Sequence, residues 1–498
     1  MHRTRARRLL VGSLAIGVIL EVLLDGPAFG INVPISVAML LGGAWWVRRR
    51  GRAPDLLDLW LPISAIVLAS LAAVRADPFI AALDAAGALA FVGASIAAFS
   101  GLAITRRSAA IIAMTGAWVL EGVVAGAGRL IATSRPPRTP GAPAIPAWSG
   151  PLARGLLLGA PIALIFAILF ASADPIFRQG LLDVLGLRID LGDLPGRLLF
   201  VGASAWLAAG LLGIAASGIP AVERASLGAA SRTAAAPMER VLGATEATVV
   251  LLAVVSVFGA FVALQVAYLF GGQDTMAAGG LTYSAYARRG FFELVAAAAL
   301  AGGLIVLLEL LVVRRSRFYL ALGVALVALT LVVLASAALR LQLYQEAYGW
   351  TELRLYVAVS IVAMAASLAV LATFLLVNRT HLLGHAMAVI ALVSLVGLNV
   401  LAPSAFVAAR NVDRVIHPES VPPDGDHSLD IGYLGVLADD AVPVLVQALP
   451  QLPAADAIVV QRELEQRRGE LGADPAFTSP MAWNLGREQA KAALATLP

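Results

Sequence analysis

Three short polar clusters interrupt long apolar runs in this chain, and they bring together residues able to bind an anion or move a proton. The first is Ser172-Ala173-Asp174-Pro175-Ile176-Phe177, where Pro175 ends an apolar run and Asp174 is placed to turn the chain or cap the next stretch. The second contains Tyr283, Tyr286, Arg288, Arg289, Phe291, Phe292 and Glu293. If a helix begins near Tyr283, Arg289 and Glu293 are four apart and pair on one face. The third runs from Tyr344 to Tyr356 and holds Glu346, Gly349, Trp350, Thr351, Glu352 and Arg354, with Arg340 one turn ahead of Tyr344. Gly349 should break the helix, Thr351 should cap the next, and Glu352 suits its first turn. A guanidinium presents a planar fork of donors that suits phosphate, so these clusters could form a pocket for an anionic headgroup or a lipid-linked substrate. The plainer reading ranks first: the same residues are interfacial anchors and interhelical ion pairs, because charges near helix ends reach water cheaply.

Deeper charges are fewer. Glu121 lies well inside an apolar run, while Glu21 and Asp84 lie nearer run ends. An intramembrane acid is a functional hypothesis by default, but a proton relay needs a chain of partners that Glu121 lacks in the sequence. Glu309 is five residues from Arg314 and should pair there or snorkel. His381 and His385 stand i, i+4 without a third ligand nearby, so no metal site is expected. No phosphate-binding P-loop, dinucleotide fingerprint or Gly-x-Ser-x-Gly elbow occurs, and the expectation is no cofactor and no evident catalytic centre.

The elements that must position these residues follow from composition. The chain has 498 residues, 60% hydrophobic and only 14% charged. Soluble domains are nearer 25% charged, so a soluble enzyme is nearly excluded. Cysteine is absent, and the basic residues are Arg with the single exception of Lys491. That bias reads as GC-rich bacterial coding and not as nucleic-acid recognition. The net charge of +4 divides into +10 over residues 1–402 and −6 over 403–498. Twelve runs are long and apolar enough to span a bilayer, among them 9–24, 83–104, 318–338, 353–377 and 386–402. Runs of this length without alternation are helices, since the backbone in lipid must satisfy its own hydrogen bonds. The expected fold is an all-α, polytopic transmembrane helical bundle of about 12–13 spans with a small helical C-terminal tail.

The organisation read from these runs is an N-terminal group at 1–125, a Pro/Arg-rich extended linker at 126–152, a main group at 153–402 and an acidic tail at 403–498. The first run is read as an uncleaved span. Arg-rich loops at 48–52, 105–108 and 314–317 should all be cytoplasmic with the N-terminus. Five candidate spans separate Arg107 from Arg314, so these assignments conflict. Either 105–131 is a re-entrant hairpin or one span is miscounted. From the later loops, the tail should be extracytoplasmic. Within it, an irregular connector at 403–428 should precede four short helices. The first carries Leu429, Tyr433 and Leu434, and Asp439 or Asp440 should cap the second. So small a module is marginal alone and should lean on the membrane part.

The motifs Ser-Ala-Asp-Pro-Ile-Phe, Tyr-Ala-Arg-Arg-Gly-Phe-Phe-Glu-Leu and Tyr-Gly-Trp-Thr-Glu-Leu-Arg occur in this order. With the looser elements at Asn411–Arg414, Leu429–Leu434 and Ala438–Pro443, they resemble the bacterial polytopic membrane proteins of the domain of unknown function 4173, close to 4153. The resemblance covers roughly residues 150–450. It implies a multi-pass protein of the bacterial plasma membrane with a short tail, and it supplies no activity. The expected role is a scaffold, signalling or envelope-maintenance function. Alternatives are a transporter of a small or lipid-like anionic substrate and a membrane-embedded transferase acting on lipid-linked substrates. The partners expected are the lipid bilayer and an anionic lipid headgroup or envelope component, with no nucleic acid.

Overall fold

A computed structural model of the chain describes residues 3–24, 28–48, 55–102, 104–106, 119, 122–123, 126–134, 194–217, 244–270, 291–312, 315–423, 425–473, 477 and 479–497. The described residues are all-α, without strands. The helices are α1 Arg3–Leu24, α2 Asn32–Val47, α3 Trp60–Leu71, α4 Pro78–Phe99, α5 Leu194–Ser217, α6 Ala244–Phe270 and α7 Phe291–Leu311. They continue as α8 Arg317–Tyr348, α9 Glu352–Leu376, α10 Leu383–Leu401, α11 Pro403–Ile416, α12 Ile431–Val436, α13 Val442–Ala448, α14 Ala454–Ala473 and α15 Leu485–Leu494. Among the described residues, four helical stretches are long and apolar enough to cross a membrane: Pro78–Phe99, Arg317–Tyr348, Glu352–Leu376 and Thr380–Leu401.

The chain forms two compact units that are not contiguous blocks. The smaller comprises Met1–Asp25, Gly42–Gly51 and Ala117–Gly218, and the larger comprises the remainder. In the smaller unit α1 lies along α5. Gly17 makes the close approach: a Cβ there would sit 2.7 Å from the Ala205 Cβ and from the Val201 carbonyl. Small residues let helix backbones meet where lipid removes the hydrophobic drive for association. Glu21, the acid near the end of the first run, pairs with Arg197 at 2.7 Å. Residues 126–134 are helical, where an extended linker was expected, and the rest of that linker lies outside the described residues.

In the larger unit, α6, α7, α8 and α9 share an apolar cluster built from Leu251, Ile305, Leu326, Leu334 and Leu368, all nearly inaccessible. Local signals set the helix boundaries around it. Ser316 caps α8 by accepting from the Tyr319 N–H at 3.0 Å. Gly349 ends it with φ of 79°, a left-handed conformation that glycine adopts without steric cost. Thr351 then caps α9, accepting from the Arg354 N–H at 3.3 Å.

The same unit has two polar ends. At one, Asp58 accepts from the Ile104 and Thr105 N–H groups at 3.1 and 2.7 Å. There too a His385 ring nitrogen lies 3.0 Å from the Ile104 carbonyl, and Arg315 donates to Thr380 at 3.2 Å. Helices α3, α8 and α10 begin at that end, and α4 and α9 finish there. At the opposite end the segment after α10 folds back onto loops 28–31, 72–77 and 349–352.

That segment departs from the expected connector, since Pro403–Ile416 is a helix. Pro403 occupies its first turn, where a missing N–H is harmless. The rest of the tail follows the expected order, with Pro443 tolerated in the first turn of α13. Neither Asp439 nor Asp440 caps that helix. The tail has its own apolar core, including Val407, Leu434, Leu437, Leu464 and Leu494, and Leu355 of α9 belongs to it.

Candidate functional site

The densest polar network among the described residues lies where the tail meets the α3–α4 loop. Asp77 starts it locally. Asp-Pro is a helix-start pair, and Asp77 Oδ1 accepts from the Phe79 and Ile80 N–H groups at 2.8 and 3.2 Å. Its other oxygen, Oδ2, accepts from the Tyr356 hydroxyl of α9 at 3.0 Å, and the Phe79 and Tyr356 rings pack 5.1 Å apart.

Asp440 comes to the same loop from the tail. Its Oδ2 accepts from the backbone N–H groups of Ala76 and Asp77 at 2.7 and 3.1 Å, and Oδ1 lies 3.5 Å from an Arg75 nitrogen. Arg75 also donates to the Asn399 carbonyl at 2.6 Å, tying α10 into the network. Burial pushes the Asp440 carboxyl above its ordinary range, against the N–H groups and Arg75 that favour the charged form. Asp439 is likewise raised by burial, opposed by Arg467 at 3.2 Å.

Start of α15 completes the clasp. Asn484 donates to the Arg75 carbonyl at 2.7 Å and to the Ala72 carbonyl at 3.3 Å, while the Leu485 and Gly486 N–H groups reach Ala73 and Val74 carbonyls at 2.9 and 3.0 Å. These contacts satisfy the backbone carbonyls of the loop that follows α3. Gly486 is needed for the approach, because a Cβ there would lie 2.5 Å from Asp440 Oδ1. Arg487, only 5% exposed, reaches the Phe29 carbonyl at 2.6 Å.

The third sequence cluster borders this junction, and its residues are committed to backbone and to the tail. The Glu352 N–H donates to the Tyr433 hydroxyl at 2.8 Å, and its carboxylate accepts from Ser404 of α11. Arg354 does not pair with Glu352. Its guanidinium donates to the Gly349 and Tyr348 carbonyls at the end of α8 and lies 4.1 Å over the Tyr344 ring. A cation there complements the negative helix end. Glu346 accepts from Gln342 at 2.9 Å on the surface. Trp350 and Asn411 exchange two hydrogen bonds, at 2.8 and 2.9 Å. Arg340 is half-buried on α8, a turn from Tyr344.

Of the other residues singled out, Glu121, Asp174, Tyr286, Arg288 and Arg289 lie outside the described residues, as does the side chain of Glu293 within α7. Glu309 pairs with Arg315. Asp84, wholly buried on α4, accepts from the Asn399 side chain at 3.0 Å. The second Asp84 oxygen and the Asn399 side-chain carbonyl have no partner among the described residues. Among the described residues, no three of His, Asp and Glu gather in a way that could hold a metal ion.

Sequence reasoning missed Asp77, Tyr356, Ser404, Asn484 and Asp440 as members of one network. For Asp77 the Asp-Pro pair after a short apolar run was a usable signal. For Asp440 none existed, since its partners stand 363 and 364 residues away. Chemically, the arrangement is a clasp: each carboxylate in it already holds backbone N–H, hydroxyl or guanidinium donors.

Neither curated proteins nor solved structures yield a match to the chain. A family description does match, over residues 63–448, which takes in most of α3 and ends with α13. It therefore reaches further toward the N-terminus than the motif resemblance, and it names the 4153 group. α14 and α15, with Asn484 and Arg487, follow the matched region. On that match the chain belongs to the family of the domain of unknown function DUF4153.

Proposed function

We propose that this protein is a multi-pass protein of the bacterial plasma membrane that acts as a scaffold in envelope maintenance or signalling, presenting its C-terminal module from a fixed platform. The observation that carries this reading is the clasp. The polar residues of loop 72–77, loop 349–352 and the tail are committed to one another, which holds residues 403–497 in one orientation against the helices. A transporter or transferase would instead require such groups to face a solvated cavity.

The two polar ends support a reading of the sidedness. Asp58, Ile104, Arg315, Thr380 and His385 share one end, which the reading takes as cytoplasmic because it carries the Arg-rich loops. The tail, at the other end, is then extracytoplasmic. On this reading an even number of crossings separates residues 106 and 315, and the conflict between the arginine loops disappears. The finer resemblance to the 4173 group fits the same architecture.

The test is complementation of a deletion strain under envelope stress, scored beside protease access to the tail in intact membranes. Asp440→Ala should free the module and lose complementation while the protein stays in the membrane. Glu465→Gln, altering an exposed pair with Gln461 on α14, should keep both. Solute flux in proteoliposomes that depends on Arg354, or full complementation by a chain whose module is freed, would overturn the scaffold role.

A further inference from the structure

We propose that the smaller unit binds one anionic phospholipid, with the headgroup held by Arg5, Arg8 and Arg48 and an acyl chain laid along the apolar wall beside them. The cavity there measures about 690 Å³, within the usual size of small-molecule sites. Residues 5, 8, 9, 12 and 16 recur at helical spacing and form one stripe of α1, basic at its start and apolar beyond. Trp46, Val47 and Arg48 come from the end of α2, and Leu212 of α5 closes the far wall.

The polarity of the cavity runs in one direction. Three guanidiniums line it at the start of α1 and the end of α2, and no carboxylate is among the described residues that line it. Arg5 commits one N–H to the Val47 carbonyl at 2.8 Å, which aims the group and leaves other donors of the fork for phosphate oxygens. Arg48 is held 3.7 Å over the Trp45 ring. Arg8 is exposed, and Trp46 is 84% exposed, as suits an indole at headgroup depth. Leu9, Ile16 and Leu212 continue the wall inward. Gly12 keeps the floor open, since a Cβ there would meet nothing within 4 Å. Basic residues beside an apolar groove are how membrane helices select anionic lipids. A free phosphate would use the arginines alone; the apolar wall calls for a lipid.

The inference rests on the membrane reading but not on the scaffold role, and the two fail in different assays. The purified full chain in detergent is titrated with dioleoyl phosphatidylglycerol, with phosphatidylcholine of the same chains, and with inorganic phosphate, using native mass spectrometry. The expected result is a single phosphatidylglycerol retained about tenfold or more tightly over phosphatidylcholine, and not displaced by phosphate. Gly12→Leu fills the groove and should lower that affinity about tenfold with the melting midpoint unchanged. Arg8→Gln, at an exposed position, should narrow the preference between the two lipids. Equal binding of both lipids, displacement by phosphate, or unchanged binding in a folded Gly12→Leu protein would overturn the proposal. Should Gly12→Leu not fold, Arg8→Gln decides: an unaltered preference overturns it.

Discussion

The apolar cluster of α6–α9 and the clasp under the C-terminal module belong to the same unit, yet they are held together by different physics. In the cluster Leu326, Leu334 and Leu368 meet other aliphatic side chains, and the contacts have no direction. On the proposed membrane reading lipid tails are as apolar as leucine, so burying these side chains against each other gains packing and little else. In the clasp, Asp440, Asn484 and Arg75 form hydrogen bonds with defined partners, and a slip of one residue would break several at once. Position is therefore specified at the helix ends, and the spans between them are tolerant fillers of volume.

The sharpest way to break this contrast is Asp440→Ala. It leaves the Ala76 and Asp77 N–H groups without their acceptor and takes the carboxylate away from Arg75, and removing one partner from such a buried charged network costs about 3–5 kcal/mol. Hydrogen exchange at residues 72–77 and in α15 should rise together, while α8 stays protected. Gly349→Ala ranks next. It forces a side chain onto a backbone with φ of 79° and into the Asn411 side chain, 2.9 Å away, for about 1–3 kcal/mol of strain. Exchange should increase at 347–354 and at Trp350 first. From the other side of the comparison, Leu326→Met keeps volume in the apolar cluster and should cost less than about 1.5 kcal/mol. A thermal midpoint within a few degrees of the parent, with the clasp undisturbed, is the expected result.

Acidity gives a further, smaller discriminator. Asp439 and Asp440 are raised by burial, so the folded state holds their protons more tightly than the unfolded chain does. Their contribution is fully present below the ordinary aspartate range and is lost as pH rises through the raised values. Lowering pH from neutrality toward that range should therefore tighten the clasp, where a carboxylate held below its ordinary range by its partners would loosen it. A proton on Asp440 Oδ1 leaves Oδ2 free to accept from both backbone N–H groups. Exchange of the Ala76 and Asp77 amides, corrected for intrinsic rate, should slow on acidification in the parent and lose that dependence in Asp440→Asn.

Much of the framework was legible in the sequence because it is written locally. Gly349, Thr351 and Glu352 act at their own helix ends, Pro443 falls in a first turn, and the long apolar stretches stand out by composition. Pro403 misled because a proline at the first position of a helix and one that breaks a connector look alike without the fold. Arg354 and Glu352 were read as members of one polar cluster, but one turns back to α8 and the other reaches α11. The clasp itself was not legible. A single aspartate whose acceptor role depends on amides hundreds of residues earlier leaves no periodicity, spacing or composition to detect.

That separation has a consequence for synthesis. Ala76 and Asp77 leave the ribosome early, but the carboxylate that occupies their N–H groups arrives 364 and 363 residues later. Throughout translation the loop after α3 carries open amides and carbonyls that no nearby segment satisfies. A chain shortened before Asp440, or stalled on the way to it, keeps them open, so the arrival of that segment is itself written into the fold in a form that cellular quality control could read.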